Sequence, residues 1–211
     1  LSGPGIEQLL AGTGANRARF FLNGIDSETK GLDIVSTYSL VLEERGTIDF
    51  NAGFNYTDNK VARVLPPPDE LTEIGVTEDN LFSSREQRRF EVGSPKSSFN
   101  LGATWRYGNW RVTGLTTRFG RTVDPQTNPA EDEKMSPKWI TDLEVGYQPN
   151  ENWTISVGAN NLLDVYPDTA EEMNNRVGVS TSTFDRVLPY SSFSPFGFSG
   201  RFVYSRVTFA F

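Results

Sequence analysis

Hydrophobic and polar residues alternate along much of this chain of 211 residues. The segment Ser98–Tyr107 shows the pattern best, because its odd-numbered positions are Phe, Leu, Ala, Trp and Tyr while its even-numbered positions are Ser, Asn, Gly, Thr and Arg. Ile48–Thr57 repeats the pattern with the apolar residues at even positions. A period of two is that of a β-strand, so both segments predict strands with one apolar and one polar face.

About eight strands are predicted on this basis, namely Ala18–Asn23, Lys30–Leu42, Gly46–Thr57, Pro95–Tyr107, Trp110–Gly120, Trp139–Gln148, Trp153–Leu163 and Phe198–Phe211. In the strand that begins at Trp110 the apolar positions change face between Val112 and Leu115, which a β-bulge or a ligand-facing irregularity would explain. No helix is strongly signalled. Only Glu70–Gly75 and Thr169–Asn174 are candidates for short helical turns.

The predicted connections differ in length in a regular way. Three are tight turns that contain turn-forming residues or charged residues, at Glu43–Arg45, Gly108–Asn109 and Pro149–Asn152. Three are long loops, Asp58–Ser94, Arg121–Lys138 and Asp164–Gly197, and the shorter link Gly24–Thr29 falls on the same side as the long loops. Short turns at one end and long loops at the other are typical of outer-membrane β-barrels.

Composition narrows the fold class further. Hydrophobic residues are 36% of the chain and the mean hydropathy is −0.44, and no run approaches the roughly 18 to 20 apolar residues of a membrane helix. A transmembrane barrel remains possible because only every second residue of a barrel strand faces lipid. Aromatic residues collect near the predicted strand ends, where their amphipathic rings favour the lipid headgroup level. Together these features favour an all-β, antiparallel transmembrane barrel over a soluble β-sandwich.

The residue types that are absent limit the chemistry. With no cysteine and no histidine, the chain lacks a thiolate metal site, a disulfide framework and the commonest general base. We therefore expect no catalytic residue, no metal site and no cofactor, and we expect that the protein is not an enzyme. The net charge of −7 provides no basic surface for nucleic acid, so no nucleic-acid partner is predicted.

Two acidic groups are alternatives to that expectation. Asp142 and Glu144 share one strand face, as an acid–base pair would, but charges on a water-filled barrel wall are the favoured explanation. The run Glu131–Glu133 offers oxygen ligands for calcium but lacks the glycine-containing spacing of a dedicated calcium loop. We expect both groups to be solvated charges.

Arginine and aromatic residues in the long loops are candidates for ligand binding. Guanidinium groups can clamp a carboxylate or a phosphate, including the phosphates of lipopolysaccharide, or can simply balance nearby acids. Aromatic residues in a surface loop indicate either a binding cavity or packing against other loops. The candidates are Arg85, Arg88, Arg89, Arg176, Arg186, Tyr190 and Phe193.

Four runs of sequence stand out together: Asn23–Asp33, Ser94–Leu101, Val157–Pro167 and Ser194–Phe202. They span nearly the whole chain, and they resemble the C-terminal barrel region of TonB-dependent receptors. The most specific is N-N-L-L-D-V-Y-P, which contains the motif residues Asn160, Asn161, Leu162 and Asp164. Since this motif lies where a strand would leave the membrane, we expect its asparagine and aspartate side chains to cap freed backbone groups.

The resemblance implies a barrel of about 22 strands with a plugged lumen in the bacterial outer membrane. Residues 1–211 would be the C-terminal part of that barrel, about its last eight strands, with the plug and the earlier strands on another chain or fragment. Leu1–Gly5 follows no visible secretory signal and resembles the interior of a longer protein. The expected partners are the missing strands and plug, the TonB complex through the plug, lipopolysaccharide and lipid, and a small-molecule ligand.

The final segment, Gly200–Phe211, alternates and ends on an aromatic residue. We expect Val203, Val207 and the terminal aromatic residues to face lipid, and the C-terminus to lie on the periplasmic side. Phe209 and Phe211 resemble the C-terminal signal by which outer-membrane barrels are recognised for assembly.

Two functions follow from these expectations. The first is an outer-membrane active transport receptor that binds a scarce nutrient through its extracellular loops and releases it inward by TonB-driven uptake. Arginine and aromatic residues suit a ferric siderophore, another metal chelate or an oligosaccharide. The alternative is a self-contained barrel of about eight strands with a structural or adhesive role.

Overall fold

The computed structural model describes residue 11 and residues 23–174 and 188–211. These residues form the strands β1 (Ile25–Val41), β2 (Thr47–Val64), β3 (Ser97–Tyr107), β4 (Trp110–Phe119), β5 (Thr122–Asp124), β6 (Glu133–Met135), β7 (Lys138–Tyr147), β8 (Trp153–Asn160) and β9 (Phe202–Phe209). They also form the helices α1 (Asp69–Thr72), α2 (Glu78–Leu81), α3 (Ser84–Val92) and α4 (Ala170–Asn174). The prediction of a mainly β-chain is confirmed. The expectation that no helix would stand out is wrong for α3.

Seven strands form one sheet in the order β1-β2-β3-β4-β7-β8-β9. All neighbouring strands in it are antiparallel, and β5 and β6 form a separate two-stranded sheet. Within the described residues the large sheet is open, with β1 and β9 at its edges. The predicted strand Ala18–Asn23 lies outside the described residues except for its last residue.

The strand register confirms the alternation of faces. Ile34 lies opposite Phe54, which lies opposite Phe99, and the same face continues through Val145 opposite Val157. We call this the apolar face and its reverse the polar face. On β9 the residues opposite the apolar positions of β8 are Val203, Ser205, Val207 and Phe209.

The backbone of strand β4 is regular, whereas the sequence pattern predicts an irregularity. It pairs residue by residue with β3 and with β7 and has no register shift, so the β-bulge, one of the two predicted explanations, is wrong. The backbone is regular, but in this part of β4 small and polar residues occupy the apolar face and apolar residues occupy the polar face. Gly114, Thr116 and Arg118 lie on the apolar face, opposite apolar-face positions of β3 and β7, while Leu115 and Phe119 lie on the polar face.

The two ends of the large sheet are built differently. The short connections β1–β2, β3–β4 and β7–β8 all lie at one end, called here the turn end, and the long segments after β2, β4 and β8 lie at the other, the loop end. Aromatic rings meet in pairs at the turn end, with centroids 4.7 Å apart in both Trp110–Tyr147 and Trp153–Phe209. The C-terminus also lies at the turn end, because Ala210 N donates to Asn152 O at 2.8 Å.

The β1–β2 hairpin is longer than predicted. Its pairing begins at Ile25 opposite Val64 and passes an irregularity between Asp26 and Ser27. The predicted link Gly24–Thr29 is therefore mostly strand. Because β3 begins only opposite Tyr56, the outer part of the hairpin projects past the rest of the sheet at the loop end.

Large hydrophobic side chains on the apolar face are exposed, for example Leu32 at 53% and Val207 at 61%. Buried side chains instead concentrate in the loop segments, where Met135, Ala170 and Met173 are joined by several polar residues. This distribution is the reverse of that in a water-soluble domain. None of the helices in the described part of the chain has the length and hydropathy needed to cross a membrane.

Candidate ligand-binding site at the loop end

Helix α3 positions three of the predicted ligand-binding arginines. It begins with a capping box in which Ser83 N donates to Glu86 Oε2 at 2.8 Å and Ser83 Oγ accepts from Glu86 N at 3.3 Å. Residues three and four apart share a helix face, so Arg85, Arg88 and Arg89 project to one side. The Ser-x-x-Glu spacing is a sequence signal for a helix start that would have revealed α3.

The arginine face of α3 packs against the loop that carries β5 and β6. Asp124 is fully buried and lies 3.7 Å from Arg85 Nη2 and 3.4 Å from Arg89 Nη2. Arg88 forms an ion pair with Asp132, and Arg85 Nε donates to the carbonyl oxygen of Pro125 at 2.5 Å. The arginines thus hold two long loops together, while about a third of each side chain stays exposed.

The acidic run in this loop differs from the expectation of a solvated cluster. Asp132 is buried, accepting from Gln126 N at 3.0 Å as well as pairing with Arg88, and Glu133 is only 1% exposed. Opposite charges on α3 compensate the loss of water around Asp132. Among the described residues no group of three or more acidic side chains is placed to hold a metal ion.

A row of aromatic rings lies in the neighbouring loop segments. Tyr190 stacks between Tyr166 and Phe198, with centroid distances of 5.9 and 6.2 Å and an interplanar angle of 19° in both contacts. Tyr166 and Phe198 remain partly exposed. Phe196 of the same segment stacks on Phe119 of β4 at 5.7 Å.

One contact joins the arginines to the aromatic segment. The guanidinium carbon of Arg89 lies 4.5 Å from the ring centroid of Phe193, within the range of a cation–π interaction. We therefore treat one surface as the candidate site and call it the loop-end surface, defined by Arg85, Arg88, Arg89, Tyr166, Tyr190, Phe193 and Phe198. Two predicted residues, Arg176 and Arg186, lie outside the described residues.

The sequence analysis does not predict Tyr166 as a member of this surface or Asp124 as its support. Their roles become recognisable when the loops are brought together. Tyr166 lies inside the N-N-L-L-D-V-Y-P run, so its position beside a strand end was the available signal.

That run forms a tight structure at the end of β8. Asn161 Oδ1 accepts from Val165 N at 2.9 Å and Asn161 Nδ2 donates to Val165 O at 2.7 Å, while Asp164 Oδ1 accepts from Arg201 N at 2.7 Å. Asn161 and Asp164 both have positive φ. Asn160 pairs with Phe202 in the β8–β9 ladder, and Leu162 N donates to Thr141 O at 2.7 Å. The run therefore fixes the path of the chain into the loop that carries Tyr166.

The two carboxylates of β7 make structural contacts on the polar face. Glu144 Oε2 accepts from Tyr204 Oη at 2.9 Å, and Glu144 lies 3.5 Å from Arg111 and 3.9 Å from Arg206. Asp142 Oδ1 accepts from Asn161 N at 2.7 Å. Each carboxylate is therefore engaged within the chain, and no geometry that points to an acid–base pair is present in these contacts.

The comparisons with known proteins agree with this architecture. Residues 6–162 match the family model described as TonB dependent receptor-like, beta-barrel, which is more than half of the chain. The chain belongs to this family, which resides in the bacterial outer membrane. No curated protein matches the chain.

Solved structures share the fold at low sequence identity. The pyoverdine outer membrane receptor FpvA from Pseudomonas aeruginosa, bound to pyoverdine, is 16% identical, and the match covers 89% of this chain and 22% of that one with a TM-score of 0.53. The ferripyoverdine receptor of the outer membrane of Pseudomonas aeruginosa, bound to ferripyoverdine, is 17% identical over 96% of this chain and 22% of that one, with a TM-score of 0.51. The copper transporter OprC is 16% identical over 89% of this chain and 23% of that one, with a TM-score of 0.50. The chain thus spans less than a quarter of the length of these structures.

Proposed function

We propose that this chain is the C-terminal part of the barrel of an outer-membrane active transport receptor. A complete barrel has about 22 strands, so further strands and a plug complete the receptor to which this sheet belongs. The family membership and the small share of each related structure that is matched support this proposal. So do the edges that the sheet has at β1 and β9 within residues 23–174 and 188–211, because unpaired backbone groups in a bilayer are very costly and require neighbouring strands.

In this orientation the loop end faces the extracellular medium and the turn end faces the periplasm. Long loops outside and short turns inside are the arrangement of bacterial outer-membrane barrels. The C-terminus is then periplasmic, and Phe209 and Phe211 act as the assembly signal. The apolar face contacts lipid and the polar face borders the lumen that the plug fills.

The ligand that the loop-end surface suits best is a ferric siderophore with aryl groups. The observation that supports this choice is the row of three near-parallel rings, Tyr166, Tyr190 and Phe198, in the connection between β8 and β9, whose Phe193 lies against Arg89 of α3. Ring faces stack on aryl groups, and guanidinium groups attract the negative charge of a ferric complex. The ligand is released inward when the TonB complex acts through the plug.

Binding is tested on the full-length receptor in detergent, with the ferric complex of a tris-catecholate as the probe and fluorescence quenching as the readout. We expect Tyr190→Ala to weaken binding about tenfold, because stacking and apolar contact of one ring contribute about 1 to 2 kcal/mol. Tyr56→Ala serves as the matched control, since Tyr56 is an exposed tyrosine on the apolar face of β2. Equal affinity of both variants and of the unchanged receptor would contradict the siderophore assignment.

Two further measurements separate the alternatives. Binding of maltoheptaose in place of the ferric complex would identify the loop-end surface as an oligosaccharide site. Uptake of radiolabelled iron by cells with and without TonB tests the transport step, and we expect uptake only in the cells that contain TonB. Equal uptake in both strains would contradict energised transport while leaving the binding result intact.

A further inference from the structure

The apolar face carries a groove that the loop-end surface does not use. Its volume is about 460 Å³, and it crosses β1, β2, β3, β4 and β7. Tyr38, Phe50 and Leu101 form its walls. Its floor consists of small residues that share the apolar face, namely Ser36, Ala52, Ala103, Gly114, Thr116 and Thr141.

The floor exists because β4 places the small residues Gly114 and Thr116 on the apolar face. A Cβ atom added at Gly114 would meet no atom within 4 Å, so the space above this glycine is open. The hydroxyl oxygens of Thr116 and Thr141 are 3.0 Å apart and hydrogen-bond to each other. Because one of these hydroxyls donates to the other, an apolar chain lying over Thr116 and Thr141 leaves less hydrogen-bonding capacity unpaired than it would over two separate hydroxyls.

A basic residue of β4 lies beyond the loop-side end of the groove. Arg118 is on the same face of β4, directly opposite Phe99 on one side and Trp139 on the other. The rings of Phe99 and Trp139 meet edge to face with centroids 6.2 Å apart. Within the described part of the chain, the half-buried Arg118 side chain has no ion pair or hydrogen bond.

The position of Arg118 along the strand matches a membrane boundary. Eight residues separate it from Trp110 at the turn end, which corresponds to about 27 Å along a strand and about 21 Å across the membrane for a tilted barrel strand. The apolar band of such barrels is about 25 Å tall, so Trp110 and Arg118 lie near opposite interfaces. Gly114 lies about 13 Å along the strand from Arg118, toward the middle of the bilayer.

We propose that Arg118 and the groove form a binding site for a phosphate-bearing lipid of the outer leaflet. The guanidinium group binds the phosphate, and one acyl chain runs past Thr116 into the groove above Gly114. This site rests on the proposed function only for its orientation, with the loop end outward. A second copy of this chain fits less well, because a symmetric contact through this face would bring another unpaired Arg118 into an apolar environment.

The test measures lipid bound to the full-length receptor by native mass spectrometry in detergent. The probes are phosphorylated lipid A and the same lipid after enzymatic removal of its phosphates. Arg118→Gln removes the charge, Arg118→Lys keeps it, and Gly114→Leu fills the groove. Arg45→Gln, which removes the same charge in the turn between β1 and β2, and Gly197→Leu, at a loop glycine where an added Cβ also meets no atom within 4 Å, are the matched controls.

We expect Arg118→Gln to lower retention of phosphorylated lipid A about tenfold, as for the loss of one charge-assisted hydrogen bond, and to leave retention of the dephosphorylated lipid unchanged. Arg118→Lys should keep most of the binding, and Gly114→Leu should lower retention of both lipids. Both controls should bind like the unchanged receptor.

Three outcomes would overturn the proposal. One is equal retention by Arg118→Gln and the unchanged receptor, and another is an equal loss in Arg45→Gln. The third is a dimer that Gly114→Leu dissociates, which would assign the groove to a second copy of the chain. Siderophore binding and iron uptake are measured separately, so a failure of the lipid site is distinguishable from a failure of the transport function.

Discussion

The large sheet and the loop end of this protein keep their shapes by different means. In the sheet, large apolar side chains are exposed and the contacts are strand pairing and ring pairs such as Trp153 with Phe209. At the loop end, the fully buried side chains include the carboxylate of Asp124, which is held by arginines from another loop. The sheet is therefore built to be solvated by lipid, and the loop end has a small polar core of its own.

The difference shows where substitutions should be costly. Exposed apolar residues on the sheet can be exchanged for others of similar character, because lipid solvates them equally well. A buried charge at the loop end cannot be removed without leaving its partners uncompensated. The following predictions test this contrast.

The largest effect is expected for Asp124→Asn. The substitution leaves Arg85 and Arg89 close together without their shared carboxylate, and we expect a loss of about 3 kcal/mol of loop-end stability. Faster limited proteolysis between β4 and β7 is the measurement. Glu28→Gln is the control, because the Glu28–Lys30 pair is largely exposed and such pairs contribute little. Equal proteolysis rates of the two variants would contradict the expectation that a buried charge at the loop end contributes more to stability than an exposed charge on the sheet.

Gly158→Val tests packing on the polar face of the sheet. A Cβ atom at this position would lie 2.5 Å from Cζ of Tyr204, so the tyrosine ring must move away from Glu144. We expect a destabilisation of about 2 kcal/mol, seen as a lower temperature for the loss of heat-modifiable gel migration. Gly114→Val is the control, since the space there is open. A variant that melts like its control would show that Tyr204 shifts at no cost.

Trp153→Leu tests the ring pairs at the turn end. The variant keeps an apolar side chain but loses the ring contact with Phe209, so we expect a loss of about 1 kcal/mol. Tyr38→Leu is the comparison, because the described residues include no ring contact for Tyr38. The same melting assay applies, and a larger effect at Tyr38 would contradict a stabilising role for the ring pair.

The smallest effect is an acid sensitivity of the loop end. Burial alone would raise the pKa of Asp168, but bonds from Lys138 and from Ser136 outweigh it and hold the pKa below its ordinary value of 3.8. The stabilisation from this lowered pKa is present above the unfolded-state value of 3.8 and is lost as the pH falls through the lower folded-state value. Loop proteolysis with an acid-stable protease should therefore accelerate below about pH 4, and Asp168→Asn should remove that dependence. An unchanged pH profile in the variant would contradict the assignment.

Much of the fold was predictable because strand pairing follows a local pattern. The faces of β3 and the tight turns at Glu43–Arg45 and Gly108–Asn109 follow from alternation and turn chemistry. Helix α3 was missed although its Ser83–Glu86 capping box was present in the sequence. The change of face in β4 predicts a bulge or a ligand-facing irregularity, because alternation alone does not distinguish a shift of the backbone register from a regular strand with small or polar residues on its apolar face.

The loop-end surface was less predictable. Arg85, Arg88 and Arg89 were recognised as candidates, but their partners Asp124 and Asp132 lie in a different loop, and no periodicity connects the two. Likewise Tyr166 and Tyr190 lie near opposite ends of the connection between β8 and β9, and no local pattern predicts that their rings stack. Gly200 allows the chain to turn from this loop into β9. Its φ is +70°, and Tyr166 and Asp164 lie close to where a Cβ atom would be.

The sequence by itself determined the two faces of the sheet, the alternation of short and long connections and the likeness to the receptor family, because each depends on neighbouring residues or on short runs. Only the tertiary structure decided which acids the arginines of α3 meet, which rings of the loop after β8 stack on one another, and which small residues of five strands form the groove on the apolar face. Those contacts join residues far apart in the chain. Their geometry follows from strand register and loop packing, and no local pattern encodes them.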